Sequence, residues 1–309
     1  MTGMVRPRPV RDPELRLVVF HHAGGSSAAY VPLVRALPGD WELLLLDLPG
    51  RGRLHRAPPE TDMAALVAAA TAEVMAWTGP PVALFGHSLG AIVAAETARS
   101  LRACGVRPSW LGVSGRAAPV PRPGAEHPPA ARPPQERDAP GRDAPERHGP
   151  GRDAQERHAQ GRDAPGPGAR VPLERLPLAT MPDDELFDAL AVLGGMPERL
   201  DELPEFRARF LRLVRADLLA LASYRPDPCR APLDVPITAF GSTGDPLAPP
   251  HAVDAWREET TAGFRSRTFP GGHFHLLGPA LTGFGAALAQ ELRRSPTVPV
   301  PTSPGGTPS

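Results

Sequence analysis

Four short apolar runs alternate with helix-length segments over the first 118 residues of this 309-residue chain. The runs Leu15–His21, Glu42–Asp47, Pro81–Phe85 and Ser109–Ser114 are rich in Leu, Val and Phe and show no polar alternation, as expected of strands buried on both faces. Between them, Ser27–Leu37 carries apolar residues at helical spacing, Thr61–Trp77 is Ala-rich and amphipathic, and Ser88–Ala103 reads as a helix ended by Gly105. Strands that alternate with helices of this length predict a mostly parallel sheet with helices on both faces, an α/β architecture.

The alternation stops at Pro119. Residues 119–170 hold 19 Pro or Gly in 52 positions and fall into a decamer repeat, with GRDAPERHGP at 141–150, GRDAQERHAQ at 151–160 and GRDAPGPGAR at 161–170. A period of ten matches no solenoid unit, and a segment without large apolar residues cannot offset its ordering entropy, so a disordered surface loop is expected. A tail at 295–309 has the same character. Helical spacing returns over 182–224 with no intervening strand. Two further strands, Asp234–Gly241 and Phe264–Phe269, and two helices, 250–260 and Pro279–Arg294, follow. The reading is therefore a core in two parts, 1–118 and 231–294, separated by a low-complexity insert at 119–172 and a helical region at 173–230.

Charge and cysteine content exclude several classes. Asp plus Glu balance Lys plus Arg at 34 each, so no basic field draws the chain to nucleic acid or anionic lipid. Two Cys cannot build a disulfide framework, and no stretch reaches 18 apolar residues; both point to a cytoplasmic protein with no membrane contact. A monomer is the default expectation.

The chemistry centres on Gly86-His87-Ser88-Leu89-Gly90, a G-x-S-x-G set between a strand and a helix. A nucleophile elbow turns so sharply that the positions two before and two after the Ser must lack a Cβ, and the turn lifts the hydroxyl above the sheet. The plainer reading of Ser88 is a helix N-cap. Of the ten His, those at 127, 148 and 158 fall in the insert, and His55 and His251 in surface loops. His21, His22 and His87 flank Gly-rich turns, where loop anchoring is the simplest role. His273 and His275, after Gly271-Gly272 and the last strand, remain as bases; His273 is preferred and His275 is read as packing beneath the loop. The acid belongs at the end of a strand between Ser and His, where Asp245 stands; otherwise Asp245 only forms the turn before Pro246. The other slot, after Ser114, holds no carboxylate. An oxyanion hole needs two backbone N–H groups, assigned to Leu89 after the nucleophile and to Ala23 in the loop after the first strand.

On these residues and on a wider set of motifs, the chain resembles the type II thioesterases associated with polyketide synthases and nonribosomal peptide synthetases. The matching stretches are FHHAGGSSAAY (20–30), LPGRGRL (48–54), FGHSLGAIVA (85–94), SGRAAP (114–119), LGGMPE (193–198), RADLLALASY (215–224), FGSTGDPLAPP (240–250) and FPGGHFHL (269–276). The resemblance implies an α/β-hydrolase fold with a helical lid over 182–224. It also implies hydrolysis of acyl thioesters on the phosphopantetheine arm of an acyl or peptidyl carrier protein. Ser88, Asp245 and His273 take the nucleophile, acid and base roles, and Ala23 and Leu89 the oxyanion roles. No metal or cofactor is implied, the pantetheine arm being part of the substrate. Arg56-Ala57-Pro58-Pro59 and the decamer insert depart from the family pattern. Two other functions fit the residues: a stand-alone serine esterase for small oxygen esters, and a non-catalytic carrier-binding module.

Overall fold

The computed structural model describes residues 2–119, 178–194, 196, 200–227 and 229–295. Apart from Pro119 and Ser295, the insert read over 119–172 and the tail read over 295–309 lie outside the described residues, as does 173–177.

Among the described residues seven strands form one sheet: β1 (Met4–Val5), β2 (Leu15–Phe20), β3 (Trp41–Leu46), β4 (Val82–His87), β5 (Trp110–Ser114), β6 (Ile237–Ser242) and β7 (Phe264–Phe269). Their order is β1-β3-β2-β4-β5-β6-β7. Every pairing is parallel except β1 with β3. The six longer strands are the six runs read from sequence. The two-residue β1 is too short to carry a periodicity and was not foreseen; it is held by its register with Leu45 and Leu46.

Alternation along each strand divides the core in two. Val18, Phe20, Leu44, Leu46, Leu84, Val113 and Ala239 face one layer, where α1 (Met63–Met75) and α2 (Leu89–Ala103) pack. Leu17, Val19, Leu43, Leu45, Phe85 and Phe240 face the other, covered by α6 (Leu281–Arg294) and the segment Ser27–Arg35. Each fully buried Leu or Phe contributes about 1.5–3 kcal/mol relative to exposure, so a sheet apolar on both faces is stable only with both layers in place. Asp62 starts α1 by accepting the Ala65 N–H at 2.9 Å.

Two helix assignments need correction. Ser27–Arg35 is a 3₁₀ helix rather than an α-helix, and it contains Pro32, which lacks the N–H that an α-helical ladder requires. The helix read at 250–260 splits into α5 (Pro250–Asp254) and a 3₁₀ turn, Ala255–Glu259. Between β5 and β6 the described chain holds α3 (Asp183–Leu193), a 3₁₀ turn at Leu200–Glu202 and α4 (Pro204–Ser223), with no strand, as the sequence indicated. These two helices share a small apolar cluster of Leu186, Leu211 and Val214.

Candidate active site

The carboxyl ends of β2, β4, β5 and β6 converge on Ser88. This is the end of a parallel α/β sheet where ligand sites form. A surface cleft beside Trp110, Ile237 and Phe264 lies at the opposite ends of β5, β6 and β7 and holds none of the residues singled out from sequence.

Ser88 follows β4 directly and precedes α2. Its φ of 57° and ψ of −115° make it the one non-glycine among the described residues with positive φ. Such a conformation costs on the order of 1–3 kcal/mol and persists only where its surroundings enforce it. Here they do: Ser88 N–H donates to Ser114 O at 2.8 Å, tying the elbow to β5. A Cβ on Gly86 would stand 1.9 Å from Gly90 O, and one on Gly90 would stand 2.2 Å from Phe20 O. The two glycines are thus required by close approach of backbone to backbone.

Ser88 makes no capping hydrogen bond to α2, so the N-cap reading fails. Its Oγ instead lies 3.1 Å from His273 Nε2, and His273 Nδ1 lies 2.8 Å from Asp245 Oδ2. The three side chains come from elements separated by 185 and 28 positions in the chain and are all buried. The arrangement selects a tautomer: Nδ1–H donates to the carboxylate, leaving Nε2 to accept from the Ser88 hydroxyl. Asp245 Oδ1 also accepts from Leu247 N–H at 2.8 Å and Ala248 N–H at 3.2 Å. Burial pushes the Asp245 carboxyl up. The hydrogen bond and charge of His273, with the two amides, outweigh it and hold the group below its ordinary value.

His275 sits apart from this chain of hydrogen bonds. It is buried, stacks on Phe269 with ring centroids 5.6 Å apart, and neither ring nitrogen has a partner. It packs beneath the loop, and burial holds its pKa below the ordinary value.

His21 and His22 anchor the loop after β2, as their setting suggested, whereas His87 ties the end of β4 to the end of β5. His21 Nδ1–H donates to His22 O at 2.8 Å, and its Nε2 accepts from Leu48 N–H at 3.3 Å. His22 Nδ1 lies 3.0 Å from Tyr30 Oη, and His87 Nδ1 lies 3.1 Å from Ser114 Oγ. Burial pushes all three pKa values down, the charge of Arg51 adding to it at His21, and that of His273 at His22 and His87. His22 falls to about 3. These imidazoles are neutral when folded and take up a proton only on unfolding. Stability therefore falls as pH drops below the unfolded-chain value near 6.5, down to the native value. His22 alone accounts for a loss of about 2 kcal/mol between pH 7 and pH 5. Melting temperatures over that range should decline, and the decline should be shallower in His22→Gln; an equal slope in the variant would remove His22 as the cause.

Ala23 and Leu89 stand where the sequence placed them, after β2 and at the first residue of α2. Among the described residues no group accepts from either amide, whereas Gly24 N–H and Gly25 N–H are both bonded. The N–H groups of a helix's first turn have no intrahelical partner, so that of Leu89 is available to an anion.

One buried ion pair beside the site has no local signature in the sequence. Arg51, in the Pro-Gly-Arg-Gly turn, donates to Asp217 of α4 through both terminal nitrogens, at 2.5 and 2.8 Å. Both residues fell within matching motifs, but 166 positions separate them and nothing local signals the pairing.

A family model described as "Thioesterase domain" matches residues 15–288. The thioesterase PikA5 of Streptomyces venezuelae is 32% identical over 277 residues, covering 88% of this chain and 79% of PikA5. The solved thioesterase RedJ, from the prodiginine pathway of Streptomyces coelicolor, superposes with a TM-score of 0.68 at 32% identity, covering 92% of this chain and 91% of RedJ. YbtT, a type II thioesterase from the yersiniabactin NRPS/PKS pathway, does so with a TM-score of 0.68 at 25% identity, covering 95% and 97%.

Proposed function

We propose, from the premise that the chain belongs to the thioesterase domain family, that it is an editing thioesterase which frees acyl groups from the phosphopantetheine arm of carrier proteins. Its fold is that of the α/β-hydrolases, and it is a hydrolase acting on thioesters. The observation that carries the mechanism is the buried line of hydrogen bonds from Ser88 through His273 to Asp245.

In this reading His273 Nε2 takes the Ser88 proton as Oγ attacks the thioester carbonyl. Asp245 holds the imidazole tautomer and stabilises the imidazolium that forms. The amides of Ala23 and Leu89 receive the oxyanion. His273 then gives its proton to the departing thiolate, leaving an acyl group on Ser88 and a free pantetheine thiol. Water, deprotonated by the same nitrogen, attacks the acyl-enzyme, and Ser88 leaves with the proton returned. The reaction balances with water as the one co-reactant, and the pantetheine belongs to the substrate rather than to the enzyme as a cofactor.

The type II relationship of YbtT to an NRPS/PKS pathway supports an acyl or peptidyl carrier protein as partner. The reading takes the enzyme as a cytoplasmic monomer; among the described residues no helix is long and apolar enough to cross a membrane. The test is a comparison of kcat/KM for an acyl group on a carrier protein with that for the same acyl group as a p-nitrophenyl ester. The carrier thioester should be preferred by at least tenfold. Preference for the oxygen ester would identify a general esterase instead.

A further inference from the structure

Asp217 does more than close α4 onto the core. Its Oδ2 accepts both Arg51 Nη1–H at 2.5 Å and the backbone N–H of Gly24 at 2.7 Å, while Oδ1 accepts Arg51 Nη2–H at 2.8 Å. The carboxylate is fully buried and the guanidinium nearly so. Removing two charges from water is costly, and an apolar pair of similar volume would often pack as well or better, so a buried ion pair is weak evidence for a stabilising role. What this one secures is a peptide group. Gly24 N–H is adjacent to Ala23, the amide left free after β2, and Gly25 N–H is itself closed onto His22 O at 3.0 Å.

Side-chain packing reinforces the same contact. A Cβ on Gly24 would stand 2.4 Å from Val214 Cγ2, so α4 lies directly against the loop backbone. Val214 and Asp217 are three apart and share one face of α4, which presents one apolar and one anionic contact to a single glycine. Arg51 supplies the other half. Its planar fork fixes the orientation of the carboxylate, which a single-point cation would leave free to rotate.

We infer that Asp217, oriented by Arg51, is a positioning residue that sets the direction of the Ala23 amide in the oxyanion hole. The helical region between β5 and β6 thereby acts on transition-state stabilisation and not solely as a wall over the substrate. This inference rests on the reading of Ala23 as an oxyanion donor.

Two variants test it: Asp217→Asn, which disrupts the bidentate pair, and the double variant Arg51→Met with Asp217→Leu, which removes both charges without leaving either unpaired. Both are measured for circular dichroism, melting temperature, kcat and KM on an S-acyl pantetheine, and rate of Ser88 labelling by a fluorophosphonate. Loss of one oxyanion donor lowers kcat by about 10²–10³-fold, so misdirection of one should lower it by about 10- to 100-fold. KM should stay within about twofold, and labelling should slow by a factor similar to kcat. A variant that keeps the wild-type spectrum, with kcat and labelling within twofold of wild type, would overturn the inference. So would a loss confined to KM, which marks a substrate wall. If the wild-type protein is labelled at Ser88 yet hydrolyses no thioester, the thioesterase reading fails, and the labelling rates of the variants alone decide the role of Asp217.

Discussion

Ser88→Ala should lower thioester turnover by about 10⁴- to 10⁶-fold, a loss of roughly 5–8 kcal/mol of transition-state stabilisation. The size follows from what is removed. Without Oγ, His273 Nε2 has no hydroxyl to deprotonate, and no acyl-enzyme forms. Whatever catalysis is left should come from the amides proposed to receive the oxyanion and from substrate binding. The fold should be indifferent to the change. Ser88 Oγ caps no helix, and the elbow is held by the Ser88 N–H bond to Ser114 O, which alanine retains. A melting temperature within a few degrees of wild type, together with near-complete loss of turnover, is the expected pair of results. Substantial turnover in a folded Ser88→Ala protein would refute the assigned nucleophile.

Asp245→Asn should lower kcat by about 10⁴-fold while leaving the local geometry largely intact. The Asn carbonyl oxygen can still accept from Leu247 and Ala248, as Asp245 Oδ1 does. Its amide nitrogen then faces His273 Nδ1 and can only donate, so the imidazole proton moves to Nε2. In that tautomer Nε2 cannot accept from Ser88. The same substitution changes acid stability in a defined direction. Asp245 has a native pKa below its ordinary value, so its contribution is complete above the unfolded-chain value of about 3.9 and is lost as pH falls through the native value. The variant lacks that segment of acid sensitivity. A kcat near wild type, or an unchanged acid limb in the stability curve below about pH 4, would count against this account of Asp245.

How much could be read in advance depended on the range over which each feature is encoded. The six longer strands and α2 were legible because burial on both faces and helical spacing are written within five to fifteen consecutive residues. The elbow was legible for the same reason: Gly86 and Gly90 answer a steric demand inside five residues. The 3₁₀ helix at Ser27–Arg35 carried its warning in Pro32, but the apolar spacing of Tyr30 and Leu33 suits either helix, and both residues are buried. The two-residue β1 carried no pattern at all.

Sequence by itself determined the architecture and the three side chains that meet at the site, Ser88, Asp245 and His273, in chain order and at the ends of strands of a mostly parallel sheet, and it pointed to Ala23 and Leu89 as the amides proposed to receive the oxyanion. Tertiary structure decided the relations among these groups. It separated His273, bonded to both Ser88 and Asp245, from His275, stacked on Phe269. It turned Ser88 away from the cap of α2 and towards His273. It also joined Arg51 to Asp217, and Asp217 to Gly24, across 166 and 193 positions of chain. The physical reason is one of distance. Propensity, capping and close-packed turns act between near neighbours in sequence, whereas a buried hydrogen bond is specified only when the folded backbone brings donor and acceptor within about 3 Å of each other.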